Sequence, residues 1–470
     1  MIDLRLENQT WLIVVVVGYF TLFIITGIIL KRRIRNATDF LVAGRSLPLI
    51  LIAFTIAATH FGGGCIVGGC EWGAQYGIWP GTYSTLSCGT ACLAFAFIAG
   101  KFRKASRGIT PPDFMEYRYG TSKFLRGYHS FVYITGITAI IASQLIAFGY
   151  IASVFGVPYW LGVLLAAVMV GIYTVLSGMW GVAVTDFIQL SVCILFLPVL
   201  MASSLHIAEI DLSSLLSQSF FPFPGAKREF LYTAIPMILG SMIAYEYVLR
   251  WQSAKSAKAA VKGSLIAGIL LLLLALPIGV AGASGAIVLP DVAAGEVLSK
   301  LIVEVFPLGL GVIFLSTLLV AITSTCDSMM TSLGALVSRD IYHKMLHPDQ
   351  SFDALRYSLP VARIASAVFL GFAALIALFT RGVLHVLFWP SPLQVGALFA
   401  PLIGGMFWKG ATREGAVAGV MAGALMALID MTGLYHWPER VLFPILGSFV
   451  IWILFSALSQ KYNMRFLSRG

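Results

Sequence analysis

Four carboxylates fall inside stretches otherwise suited to lipid: Glu71, Asp186, Glu246 and Asp327. Charge at membrane depth is costly, so such residues face a cavity or a partner and often mark ion and substrate pathways. Asp327 has company. The segment "AITSTCDSMM" (321–330) follows the apolar run "GVIFLSTLLV". Ala321, Ser324, Thr325 and Ser328 share one helical face, with Asp327 beside it. Hydroxyls, one carboxylate and a carbonyl bared by the small Ala321 side chain are hard oxygen ligands of low total charge, a set that suits an alkali cation. Hydroxyls alone would favour helix–helix glue; the carboxylate in mid-span tips the reading towards an ion. Asp430 and Glu304 lie nearer span ends and read as hydrated structural charges.

Two further stretches carry chemistry. "IAFTIAATHFGGGCIVGGCEWGAQYG" (52–77) is apolar at both ends and has Gly62, Gly63 and Gly64 at its centre. Each glycine weakens helix by roughly 1 kcal/mol relative to Ala. Such a span unwinds at membrane depth only where it lines a protein cavity, and its freed carbonyls then hold a cation or substrate. Close helix packing through small residues is the rival. A nucleotide loop is a poor alternative, because no strand precedes and no Gly-Lys-Ser/Thr follows. "SGMWGVAVTDFIQLSV" (177–192) is a glycine turn leading into an apolar span, with Asp186 about one turn inside. That carboxylate is either a favourable helix-end charge or a cation ligand or proton acceptor.

The elements that must hold these residues are membrane helices. Of 470 residues, 59% are hydrophobic and 11% charged, against about 25% charged in soluble domains; the mean hydropathy is +0.90. Apolar blocks near 11–30, 47–77, 80–100, 126–154, 158–177, 183–206, 229–250, 262–287, 308–337, 360–380, 384–407, 414–434 and 440–459 are each long enough to cross a bilayer. When the loops alternate between two sides, all of the 31 Lys and Arg fall on one side except Arg5, Lys227, Arg228, Lys300, Arg381 and Arg440. The positive-inside rule makes the rich side cytoplasmic, with the N-terminus outside and the C-terminus inside. The net charge of +10 is thus a topology signal, and nucleic acid is not expected as a partner. Residues 1–10 do not read as a signal peptide. The six cysteines lie in apolar segments without metal or redox spacing.

Taken together, the segments resemble the sodium:solute symporter family. "SGMWGVAVTDFIQ" is similar to that family's Gly-Gly-x-x-Ala-Val-x-x-Thr-Asp-x-x-Gln signature through Gly178, Val182, Thr185, Asp186 and Gln189; Ser177 and Gly181 stand where the first Gly and the Ala would be. "AITSTCDSMMTSLGALVSRDIY" resembles its sodium-site helix, and "FLVAGRSLP" (40–48) the loop before its first core helix. The resemblance implies an all-α polytopic fold of about thirteen transmembrane helices, with a LeuT-like inverted five-plus-five repeat over spans 2–6 and 7–11. Its broken first helices would lie at Gly62–Gly64 and at "LGSM" (239–242). It divides the chain into a peripheral helix and loop (1–46), a transport core (47–410) and two peripheral helices with a tail (411–470).

By position, the resemblance implies a main sodium site from the carbonyls of Ala57, His60 and Ala321 and the hydroxyls of Ser324 and Thr325. It implies a second cation at Asp186, Ser324, Asp327 and Ser328, and a substrate cavity at Thr59, Gly62, Gly63, Gly64, Glu71, Tyr245 and Glu246. "AATHFGGGCIVGGCEWGAQY" is similar to the choline-transporter branch, but His60, Ile140 and Ala244 stand where cage aromatics are expected; Trp72, Tyr76, Trp79 and Tyr245 remain for substrate packing. The expectation is a Na⁺-coupled symporter of a small polar solute (an amino acid, monocarboxylate, pantothenate or amine). It would be no enzyme, would act as a monomer, and would sit multi-pass in a cell inner or plasma membrane. A proton-coupled porter and a membrane sensor are the rival readings.

Overall fold

Lipid offers no hydrogen bonds to the backbone, so a chain of this composition satisfies its peptide groups within helices. The computed structural model describes residues 25–105, 108–154, 156–352, 355–380, 383–437 and 441–467, together with residues 18, 21 and 22. Among these, extended pairing is confined to an isolated bridge between Leu47 and Ala254.

The helices α1 (Leu49–His60) and α2 (Gly64–Tyr76) form one span bent by 56°. Then come α3 (Ile78–Ala105), the short α4 (Pro111–Tyr119), α5 (Lys123–Val154) and α6 (Tyr159–Ile207). The last is two limbs meeting at Gly178 (φ 51°, ψ −156°). A side chain there would also place its Cβ 2.5 Å from the Phe40 carbonyl oxygen. A second bent span follows, α7 (Ala226–Ser241) and α8 (Tyr245–Ser253), at 42°. After it run α9 (Ala257–Val288), α10 (Leu308–Ala335) with a wider π-helical continuation through Leu336–Leu346, α11 (Ser358–Phe379) and α12 (Ser391–Phe407). The last two are α13 (Arg413–Met431) and α14 (Leu442–Leu467).

Eight described helices are long and apolar enough to cross a membrane, ten with each bent pair taken as one span, and two shorter apolar helices add to these. The stretch expected at 11–30 lies largely outside the described residues. The order is that of two five-span repeats, each opened by a broken helix: α1/α2 to α6, and α7/α8 to α12. In the middle of the molecule α9 packs along α3, α2 and α1, while α10 packs against α5 and α6. The pair α13 and α14 packs on itself and on α12.

One end of the bundle is tied by buried charges. Arg126 bridges Asp113, Glu116 and Asp340; Arg339 reaches Asp113 at 3.1 Å and Lys344 reaches Glu116 at 3.0 Å. Tyr245 donates to Asp340 (2.5 Å) and so does Thr110 (2.8 Å). The cluster joins α4, α5, α8 and the end of α10. Burial would push the Asp113 carboxyl up, but the Arg339 and Arg126 guanidiniums and the Ile109 N–H outweigh it and hold it at about 2.

A depressed carboxylate stabilises the fold above its unfolded pKa, and that contribution fades as pH falls through the folded one. Asp113→Asn is therefore expected to cost about 3–5 kcal/mol at pH 7. The gap from wild type should narrow between roughly pH 4 and pH 2. Thermal unfolding in detergent at several pH values measures both; a gap that is flat with pH would show that the charge is not what matters.

Candidate functional site

The first break sets the site. The last α1 residues are apolar or small until Thr59 and His60, and three glycines then remove the propensity to continue. Phe61 (φ −87°, ψ 55°) turns its N–H back to Ala57 and Ala58. The freed Gly63 N–H donates to Oε1 of Gln144 on α5 at 2.7 Å. At the second break, the Ile243 carbonyl accepts from the Tyr133 hydroxyl, also on α5, at 2.9 Å. Tyr133 and Gln144 are about three turns apart on one helical face, so a single helix satisfies orphan backbone groups at both breaks.

The unwound stretch lies against the polar face of α10. A Cβ on Gly62 would stand 2.6 Å from Thr325 Oγ1 and 2.7 Å from Gln144 Oε1. The Thr59 hydroxyl donates to the Thr55 carbonyl (2.7 Å) and lies 3.5 Å from Ser328 Oγ. Ser324 Oγ donates to the Ala321 carbonyl at 2.8 Å, so these two oxygens are side by side. Thr325 Oγ1 is buried without a hydrogen-bond partner. The His60 carbonyl accepts from Cys65 at 3.1 Å and the Ala57 carbonyl from Phe61 at 2.9 Å. Neutral oxygens around an orphaned hydroxyl fit a small hard cation.

The second expected cation position already contains a cation. Arg250 on α8 is fully buried. Its Nη2 donates to Ser328 Oγ (2.5 Å) and stands 3.6 Å from Asp186 Oδ2. Its Nε donates to the Thr55 carbonyl (3.1 Å) and hydroxyl (3.0 Å), and its Nη1 to the Glu246 carbonyl (2.9 Å). Thr55 in turn donates to Asp186 Oδ2 at 2.5 Å. Asp327 Oδ1 accepts from Ser328 at 3.2 Å. Four expected residues are thus near one another around α10, and a guanidinium stands between two of them.

Beside the break lies a cavity of about 130 Å³. Thr59, His60, Gly62, Gly64, Glu246 and Thr325 line it, so it shares a wall with the expected ion site. Gly63 sits behind the wall, its N–H turned to Gln144. Two expected cavity residues are corrected. The Tyr245 hydroxyl is committed to Asp340 in the charged end cluster. Glu71, two helical turns beyond the break, lies half-buried near Gly295 instead. Trp72, Tyr76 and Trp79 pack with Tyr83, Phe220 and Phe223 in an aromatic cluster.

The model of the Sodium:solute symporter family matches residues 40–423. The chain belongs to this family. It is a family of membrane transporters that carry solutes in symport with sodium, and that is the function of this chain. Relatives include a Haemophilus influenzae sodium/pantothenate symporter (26% identity over 82% of each chain) and the human high affinity choline transporter 1 (27%, covering 88% of this chain and 76% of that one). A Staphylococcus aureus sodium/proline symporter is 25% identical over 97% of this chain and 93% of its own. Among solved structures, a substrate-bound Na⁺-coupled sialic acid symporter in an outward-open state superposes with a TM-score of 0.79 (16% identity, covering 95% of this chain and 98% of that one). A nucleobase-cation-symport-1 transporter gives 0.59 (13% identity, 92% and 94%). The helical order of this symporter is accordingly the inverted-repeat fold.

Sequence reasoning missed Gln144, Tyr133 and Arg250. Arg250 counted as one of the loop basics of "RWQSAKSAKAAVK". The available signal was its place four residues after Glu246, on one helical face inside a broken span. Removing it leaves Asp186 buried without its cation, whereas removing both charges leaves none. Arg250→Gln is expected to lose about 3–5 kcal/mol of stability. Arg250→Gln with Asp186→Asn should regain part of that loss, a coupling of about 1–3 kcal/mol. A thermal-unfolding double-mutant cycle measures it; strictly additive losses would mean that the two do not pair.

Proposed function

We propose that this chain imports a small polar solute with one Na⁺, the ion held by the carbonyls of Ala57, His60 and Ala321 and the hydroxyls of Ser324 and Thr325. The observation that carries the assignment is the buried, unpartnered Thr325 hydroxyl at the unwound Gly62, in a wall shared with the cavity. Sodium bound there bridges the loop of the first broken span to α10, and so fixes one side of the solute cavity. Binding of either cargo then favours the other, which is coupling by shared ordering. The position beside Asp186 and Ser328 needs no second Na⁺, because Arg250 supplies a positive charge at every step. The transport core is 47–410, flanked by 1–46 and 411–470, and the protein works as a monomer. The Lys/Arg-rich end faces the cytoplasm in a cell inner or plasma membrane.

Thr325→Ala and Ser324→Ala each remove one oxygen ligand. Each is expected to raise the Na⁺ concentration for half-maximal uptake by about tenfold, the worth of roughly 1.4 kcal/mol, with less effect on the maximal rate. Uptake into proteoliposomes over a Na⁺ series, with K⁺ as the replacing ion at constant pH, measures this. Unchanged Na⁺ dependence in both variants removes the site, and wild-type uptake that persists in K⁺ alone points to protons.

A further inference from the structure

Glu246 lies in the first turn of α8, directly after the second break, and is 6% exposed. Its Oε2 is buried with no hydrogen-bond partner. Its one near cation, Arg250, turns Nη1 to the backbone carbonyl of Glu246 and its other nitrogens to Thr55 and Ser328. Glu246 lines the cavity, and among the described residues no Lys or Arg does. One oxygen of this carboxyl group thus stays buried and unpaired, which is disfavoured. A donor that enters the cavity can supply the missing bond.

We propose that the solute carries a protonated N–H amine, which donates to the Glu246 carboxylate. The proposal rests on the transport reading above and names the cargo of that same site. Three features of the cavity support it. Tyr133 and Tyr247 bring aromatic rings to its lining, the Tyr247 ring being stacked on His60 at 4.4 Å; an aromatic lining suits a cation better than an aliphatic one. The volume, about 130 Å³, is close to that of an engineered cavity of roughly 150 Å³ that takes benzene, so the solute is small. Glu246 also lacks a side-chain cation of its own: Arg250 turns its nitrogens to Thr55, Ser328 and the Glu246 backbone carbonyl and stands beside Asp186. An anionic solute would meet Glu246 with only the co-transported ion to offset it. A simple amine and an amino acid share the recognised group. They differ in whether a carboxylate accompanies it, on the side where the cavity meets Thr325 and the sodium.

The test uses the full chain in detergent and in proteoliposomes. The probes are ethanolamine (a simple ammonium), alanine and proline (zwitterions with N–H), choline (a cation without N–H) and lactate (an anion). Binding is read by thermal shift and transport by uptake, in Na⁺. Stabilisation and uptake with ethanolamine or with the zwitterions, and not with lactate, support the proposal; which of the two classes responds identifies the source of the ammonium. Glu246→Gln should then raise the half-saturating concentration of the responding probe by roughly ten- to hundredfold, while Glu246→Asp loses less. The shift produced by Na⁺ alone should persist in both variants, which shows that they are folded and keeps the sodium site separate from this one. Recognition of lactate or choline but of no N–H ammonium overturns the proposal, as does refusal of every ammonium probe. Glu246→Gln that binds the responding probe as wild type does overturns it as well. A wild-type protein that binds an ammonium probe but gains nothing from Na⁺ sinks the sodium reading instead.

Discussion

A guanidinium with no water around it has to be met by protein oxygens, and most of the central architecture follows from meeting this one. Arg250 takes a carbonyl and a hydroxyl from α1, a hydroxyl from α10, a carbonyl from α8, and the carboxylate of Asp186 on α6 stands beside it. Four segments that are distant in sequence are thereby held to one point. Burial of such a pair adds little net stability, since desolvation offsets the attraction. What it fixes is arrangement: helices in lipid have no hydrophobic drive to choose one neighbour over another, and a buried charge does choose. The first broken span cannot drift from α10 without stranding a positive charge.

The same logic governs the breaks. An unwound turn at membrane depth exposes peptide groups that lipid cannot satisfy. Gln144 accepts the N–H freed at Gly63 and Tyr133 donates to the carbonyl freed at Ile243. Both belong to α5, so that helix forms a rigid back wall against which the two broken spans bend. The oxygens proposed for the ion lie on α1 and on the facing side of α10, beside the first of these breaks. Thr325 Oγ1 and Glu246 Oε2 are among several buried polar atoms left without a hydrogen bond, and these two belong to residues that line the cavity.

How much of this was legible in the sequence depends on the range of each interaction. The broken first helix could be read because three consecutive glycines are a local signal, and the α10 face because its period lies within one helix. Asp186 stood out for the same reason. Tyr245 misled because adjacent positions on a short helix point about 100° apart: it and Glu246 looked alike in sequence, yet one reaches Asp340 and the other lines the cavity. Arg250 was hidden by a rule that assigns basic residues to cytoplasmic loops, whereas it lies fully buried in a broken span. Its partners Thr55, Asp186 and Ser328 lie 195, 64 and 78 positions away, and no local pattern reports a contact at that range.

The charged cluster at the Lys/Arg-rich end gives the repeats a latch as well as a fastening. Arg126 and the Asp113–Glu116 pair belong to the first repeat and its loop, while Asp340, Arg339 and Lys344 belong to the second. Tyr245, one residue after the second break, is bonded into the same cluster. Glu246, the next residue, faces the cavity. Parting the two repeats at this end would separate Asp340 from Arg126, while Tyr245, which belongs with Asp340 to the second repeat, would stay bonded to it. The cluster therefore fastens the first repeat to the second within one residue of a side chain that lines the cavity.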